Sequence, residues 1–178
     1  VTSNPAGKAY DGTTNLPEGL LEAELSGVLN EDTVGAVVQG GQFASAVVGE
    51  EIVISGYSVQ LTGEDAGNYS LVKTNAECVG NITKNNDPNA VLLLVTMFPE
   101  DEDMMLRLTA TGAFDGCGLE GTATVKFGDE EQRVYIENGI GELLLPGQAA
   151  LKTIEVTFQV AENVANYAGS FTKNAGYD

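Results

Sequence analysis

The stretch Gly63-Glu64-Asp65-Ala66-Gly67-Asn68-Tyr69-Ser70-Leu71 returns in altered form as Glu162-Asn163-Val164-Ala165-Asn166-Tyr167-Ala168-Gly169-Ser170. Glu64 and Glu162 stand 98 positions apart, as do Asn68 and Asn166, so the chain reads as two modules of one architecture. A tight polar turn ending in Asn-Tyr, before a return to β patterning, suits the corner of a β-sandwich. There a tyrosine buries its ring and hydrogen-bonds its hydroxyl to nearby backbone. Tyr69 and Tyr167 are therefore expected to pack and to pin corners, with Asn68 and Asn166 completing the turns, rather than to act as acid–base groups.

The 178 residues divide into modules of roughly 85 to 90 residues. Domains of that size bury about 60–65% of their unfolded surface, enough for a two-layer core but not for a deep enzyme cavity. The chain carries 26 acidic and 8 basic residues and no histidine, a formal charge of −18. Such a surface repels phosphate backbones and anionic lipid, which argues against nucleic-acid and peripheral-membrane functions. The longest apolar run, Ala90 to Val95, is of strand length and far short of the roughly 20 residues that span a bilayer, so no membrane insertion is expected in this segment. Cys78 and Cys117 are the only cysteines; neither sits in a CxxC pair, and they fall in different modules, so no zinc motif, redox motif or intradomain disulfide is expected. The chain opens at Val1 without an initiator Met or signal peptide and reads as a processed or excised segment, with any targeting or anchoring element outside it.

Along the first module, Asp11-Gly12 forms a turn beside the aromatic Tyr10. Leu16 to Gly27 has helix-like spacing, but Pro17, Gly19 and Gly27 break it, so a strand or irregular segment is expected. Val34 to Gln39 and Gln42 to Val48 read as a hairpin turning at Gly40-Gly41. The run Ile52 to Leu61 alternates with a slip at Gly56, the mark of a bulge or bend. Ser70 to Val79 and Asn81 to Thr83 close the module. Lys84-Asn85-Asn86-Asp87-Pro88-Asn89 supplies a short polar, proline-punctuated boundary, giving domains at 1–84 and 90–178 joined by a linker at 85–89. In the second module Ala90 to Phe98, Met104 to Thr111, Gly121 to Phe127, Gln132 to Glu137, Ile140 to Leu145 and Leu151 to Val160 all read as strands, with a turn at Gly128-Asp129. Asn138-Gly139 between two β runs is the preferred two-residue hairpin turn, because both positions tolerate positive φ.

The blocks Lys8-Ala9-Tyr10-Asp11-Gly12-Thr13-Thr14, Leu25-Ser26-Gly27-Val28, Asn30-Glu31-Asp32, Val47-Val48-Gly49, Ile54-Ser55-Gly56 and Thr62 to Tyr69 resemble the YDG domain of bacterial surface proteins and large adhesins, over about residues 8 to 84. The resemblance implies an immunoglobulin-like β-sandwich and an extracellular stalk role, with motif residues Tyr10, Asp11 and Gly12 serving turns and packing. It carries over no catalytic residue. Gly121 to Phe127, Asn138-Gly139 and Ala165-Asn166-Tyr167-Ala168 also resemble bacterial immunoglobulin-like repeats, over about residues 90 to 174; Pro146-Gly147-Gln148 replaces the usual Gly-Thr-His-like approach to the penultimate strand.

Enzymatic chemistry is poorly provided for: there is no His, no Gly-x-Ser-x-Gly elbow and no phosphate loop, and the paired carboxylates fall in turns and exposed strand positions. No cofactor is expected. The one metal hypothesis is calcium, with oxygens from Asn85, Asn86, Asp87 and Asn89 and from the nearby Asp101 and Asp103, set against a plain solvated linker. Lys8, Lys73, Lys84, Lys126, Lys152 and Lys173 are open candidates for an intramolecular Lys–Asn isopeptide bond. The expectation is an all-β chain of two tandem immunoglobulin-like β-sandwiches, a structural spacer on a bacterial cell surface or wall, alongside neighbouring repeats of the same protein. The alternative is a module that binds a glycan or a host surface protein through sandwich-end loops or an edge strand.

Overall fold

The computed structural model describes residues 1–72 and 77–177. Among the described residues the structure is all β apart from one 3₁₀ turn at Ala66–Asn68, and the chain divides into two compact units, Val1–Thr83 and Lys84–Asp178.

The first unit contains β1 (Thr2–Ser3), β2 (Lys8–Ala9), β3 (Leu21–Glu22), β4 (Gly35–Phe43), β5 (Gly49–Thr62) and β6 (Glu77–Thr83). Its main sheet runs β2-β6-β5-β4; β2 is parallel to β6 and the other pairs are antiparallel. Among the described residues, the other sheet of this unit is the two-residue ribbon β1–β3. Among the described residues, the buried apolar side chains are Tyr10, Leu20, Phe43, Ile54 and Ile82. Gly80 makes room for them, since a Cβ there would lie 2.8 Å from Ile54 Cδ1 and 3.1 Å from Phe43 Cε1.

The hairpin turn that the sequence suggests at Gly40-Gly41 does not form; β4 continues through it. Gly41 (φ 95°) faces Gly56 (φ 76°) across the β4–β5 ladder, flanked by the pairs Gly40–Tyr57 and Gln42–Ser55. Both strands bend there together, with no change of register. A Cβ on Gly41 would sit 2.9 Å from Leu16 Cδ1, so the glycine answers a close approach as well as a positive φ. Leu16 to Gly27 is irregular except for β3, as its broken pattern predicts.

The second unit contains β7 (Val91–Glu100), β8 (Asp103–Gly112), β9 (Gly121–Phe127), β10 (Glu130–Ile136), β11 (Ile140–Leu145), β12 (Thr153–Val160) and β13 (Ser170–Gly176). They form two antiparallel sheets, β10-β9-β12-β13 and β11-β8-β7. Period-two patterning decides which face is buried. Met104, Leu106, Leu108 and Ala110 of β8 are completely buried, and Ile154, Val156, Phe158 and Val160 of β12 nearly so.

Asn138 (φ 51°) and Gly139 (φ 82°) adopt the double positive φ of the anticipated turn. The strands beside them nevertheless enter different sheets: β10 pairs with β9, β11 with β8, and only the Glu137–Ile140 bridge joins the two. Turn chemistry reverses the chain locally, whereas burial of Leu143 and Leu145 beside β8 selects the partner. The segment expected as a linker is built into this unit. Asn85 is buried, donates its backbone N–H to the Asn166 carbonyl at 2.9 Å, and accepts from Ala168 N–H at 3.1 Å. Buried backbone groups need such partners, and here they convert a sequence boundary into a structural edge.

Gly112 lies under the Tyr167 ring, and a Cβ there would come within 2.4 Å of three ring-end atoms. Gly112→Ala is expected to destabilise the second unit by about 1–3 kcal/mol through overpacking. Gly116→Ala, with φ 68° but open space around the added methyl, should lose only about 1 kcal/mol. Urea midpoints of the two variants check this; equal midpoints would contradict the packing argument.

Candidate functional site

The YDG loop closes around Lys8. Lys8 and Tyr10 share one face of the extended N-terminal segment, and both are buried. The ammonium donates to Asp11 Oδ1 at 2.7 Å, the Thr13 carbonyl at 2.8 Å, Thr13 Oγ1 at 3.2 Å and the Asn15 carbonyl at 2.9 Å. It also lies 5.7 Å from the centre of the Phe43 ring. Three N–H donors thus meet four acceptors from residues 11–15, which is how a buried cation is made tolerable. Asp11 Oδ1 additionally accepts from Thr13 N–H at 2.9 Å and Thr13 Oγ1–H at 2.8 Å, and Gly12 takes φ 74° to complete the turn. Burial alone would push the Asp11 carboxyl up. The hydrogen bonds from Lys8 and Thr13, together with the charge on Lys8, outweigh it and hold Asp11 below its ordinary value.

The sequence singled out Tyr10, Asp11 and Gly12 but not the group they surround. The signal was Lys8 itself, standing at i−2 from a buried aromatic on an extended segment.

The Asn-Tyr corners pin distant backbone in both units. Tyr69 Oη accepts from Leu29 N–H at 3.1 Å and donates to Asp32 Oδ2 at 2.5 Å. That bond to Asp32 is the main reason the phenol titrates above its ordinary value. Asp65 adds a bond from Thr33 N–H to its Oδ2 at 2.7 Å and one from its own N–H to the Thr33 carbonyl at 3.2 Å. In the second unit Tyr167 Oη accepts from Phe114 N–H at 3.2 Å, and Asn166 Nδ2 donates to Asp115 Oδ2 at 3.4 Å. The hydroxyls therefore bond backbone near in space but 40 and 53 positions upstream in sequence. Asn68 is exposed and ends the 3₁₀ turn through its N–H bond to the Asp65 carbonyl at 3.0 Å.

The proposed cation ligands do not converge on one place. Asn85 to Asn89 precede β7 and Asp101 and Asp103 follow it, so a ten-residue strand of about 33 Å separates them. Each group has local work. Asn85 Oδ1 accepts from Asp87 N–H and Asp87 Oδ1 from Asn89 N–H, both at 2.8 Å, making two successive Asx turns; Asn86 is exposed between them. Asp101 occupies the first turn position at φ 53°, and Asp103 Oδ1 accepts from Gly147 N–H at 2.8 Å. Among the described residues, no three His, Cys, Asp or Glu side chains gather as a metal would require. Of the lysines considered for cross-linking, Lys8 is held as above, Lys84 Nζ donates to the Glu162 carbonyl at 2.7 Å, and Lys152 lies 5.1 Å from the Tyr177 ring centre. Lys73 lies outside the described residues. Cys78 and Cys117 are free thiols.

Because the folded pKa of Asp11 is depressed, its contribution is present above the unfolded value of about 3.9 and is lost as the pH falls through the folded value. Asp11→Asn should therefore lower stability at pH 7 and flatten its decline below pH 4. Asp11→Ala should lose about 1–2 kcal/mol at pH 7, a figure reduced because solvent reaches 41% of the Asp11 side chain. Urea unfolding at pH 7 and pH 3 tests both; identical acid dependence in wild type and Asp11→Asn would refute the role.

No curated protein matches the chain. Its N-terminal part does have a family match, one that takes in the whole Lys8 cage and the Tyr69 corner: residues 1–77 match the family model of the YDG domain.

Proposed function

We propose that this chain is a non-catalytic structural segment of a bacterial cell-surface or secreted adhesin-like protein, made of two tandem immunoglobulin-like β-sandwich domains. Its task is to extend, space and present neighbouring repeats of the same chain. The observation that carries this reading is the closed motif loop. Lys8, Asp11 and Thr13, the polar residues of the YDG segment, bond one another and stabilise a turn instead of facing a ligand. The YDG match over residues 1–77 supports the same reading for the first unit. For the second unit the support is its pair of antiparallel sheets of four and three strands, the strand count of a constant-type immunoglobulin domain. A −18 surface suits an extended segment that must stay soluble beside copies of itself.

A spacer must hold under load as separate folded units. Single-molecule stretching of the chain between handles should give two unfolding steps, each releasing on the order of 25 nm, from about 3.6 Å per residue over each unit. Antibody raised against the chain should also stain intact, unpermeabilised cells of the source bacterium. A featureless extension trace would sink the mechanical role, and staining only after permeabilisation would sink the surface assignment.

A further inference from the structure

Asn138-Gly139 is the single Asn-Gly in the chain. That dipeptide has a chemistry of its own that needs no enzyme. When the Gly139 N–H yields its proton to a base, the nitrogen can attack Cγ of Asn138. The N–Cγ bond forms, the Cγ–Nδ2 bond breaks, and ammonia leaves with a proton returned to it. Water then opens the cyclic imide at either carbonyl. One opening gives aspartate; the other gives isoaspartate, with the main chain rerouted through Cβ and Cγ. Glycine favours the attack because no Cβ shields its nitrogen.

The folded second unit denies both requirements, loss of the proton and approach to Cγ. Asn138 is exposed, but Gly139 is buried. The Gly139 N–H donates to the Leu119 carbonyl at 3.1 Å, and its carbonyl accepts from Ala110 N–H at 2.9 Å. A cyclic imide would place a carbonyl carbon where that N–H now points, against the Leu119 oxygen. Rotation of the 138–139 peptide is blocked as well, because the backbone of Gly118 lies against it. A Cβ on Gly118 would sit 2.3 Å from the Asn138 oxygen and 2.9 Å from the Gly139 nitrogen. Leu119 and Ala110 lie 20 and 29 positions upstream (139−119 and 139−110), so these restraints belong to the tertiary structure and vanish with it.

We infer that Asn138-Gly139 is a modification site controlled by the fold: closed while the second unit is folded, open when it unfolds, and irreversible once isoaspartate has formed. The turn explains the irreversibility. Glu137 and Ile140 exchange two backbone bonds of 3.0 Å across it, and β10 and β11 leave it for different sheets. Isoaspartate adds one carbon to the main chain between them, so those bonds and the two made by Gly139 cannot all form. Ile136, completely buried beside the turn, then loses its anchorage. Aspartate leaves the backbone as it was, and it tolerates the φ of 51° at position 138. Each excursion to the unfolded state therefore converts some second units into chains that do not return, and time spent unfolded is recorded covalently.

The test is incubation of the whole chain at mildly alkaline pH, in buffer and in concentrated urea, followed by trypsin and mass spectrometry. The tryptic peptide of residues 134–152 isolates the event, since Asn138 is its single asparagine. Conversion should be slower in buffer than in urea by on the order of a hundredfold or more, because it tracks the open fraction. Gly112→Ala, which leaves the Asn-Gly sequence intact, should speed conversion in buffer by the factor by which it raises the unfolded fraction and leave the rate in urea unchanged. After urea-treated chains return to buffer, a short thermolysin pulse should spare second units with Asn or Asp at 138. It should digest those with isoaspartate, identified by isoaspartyl methyltransferase labelling. Asn138→Asp, which makes the unrerouted product outright, should refold and resist the pulse. Equal conversion in buffer and urea, a Gly112→Ala rate that does not follow its stability, isoaspartate in the protected fraction, or an Asn138→Asp chain that fails to refold would each overturn the inference.

Discussion

The first unit depends on a buried cation. Among the described residues its buried apolar side chains are Tyr10, Leu20, Phe43, Ile54 and Ile82, and Lys8, buried as well, places its ammonium by the Phe43 ring. An unsatisfied charge there would be prohibitive, and saturating it constrains the loop from residues 11 to 15. That loop in turn fixes β4: Thr14 accepts from Phe43 N–H at 2.9 Å, and Asn15 bridges Gln42. Phe43 completes the circuit by placing its ring near the ammonium that organised the loop. The Tyr-Asp-Gly motif is thus a set of acceptors and a left-handed glycine wrapped around one N–H₃⁺ group. Arginine would not substitute well, because its planar fork is wrong for four acceptors converging on a point.

The two corners show one device under different packing conditions. In both, a tyrosine hydroxyl satisfies a backbone N–H on a distant loop, which ties the end of one strand region to a segment without regular pairing of its own. Tyr167 is 1% exposed because Gly112 leaves space for its ring. Tyr69 is half-buried, and its hydroxyl meets a carboxylate as well as an N–H. The repeat read from the sequence therefore conserves the anchoring bond, while the depth of burial is set locally by what lies under the ring.

What could be read from the sequence was local. Alternation in Met104 to Thr111 and Leu151 to Val160 located strands and their buried faces, and Asn138-Gly139 located a turn with the φ values it requires. Partner choice escaped, because it depends on residues far along the chain. Nothing local in β10 and β11 says that they separate into two sheets, and nothing in Gly40-Gly41 distinguishes a turn from a paired bend until Gly56 is placed opposite. Polar residues misled for a related reason. Asn85 to Asn89 look like a hydrated linker or a cation loop, yet their oxygens accept from backbone N–H groups two residues on. The burial of Lys8 escaped for the converse reason, since a lone lysine is ordinarily a surface residue.

Charge and strand pairing meet in how this acidic chain keeps apart from its copies. Repulsion between net charges falls off over about 8 Å at physiological salt, so it slows approach but does not act at hydrogen-bonding distance. At that range only the local sequence of an edge matters. Edges carrying Glu130, Glu131 and Arg133, or Lys173, oppose addition of another strand where contact is made. Ala90 to Phe98 carries no charge, but there Ser170 to Lys173 of β13 line one recess with Val91 and Leu93 and cover part of that edge, and Glu100 ends β7. Local sequence and local cover, not total charge, therefore decide how each edge of this unit is kept from adding a strand.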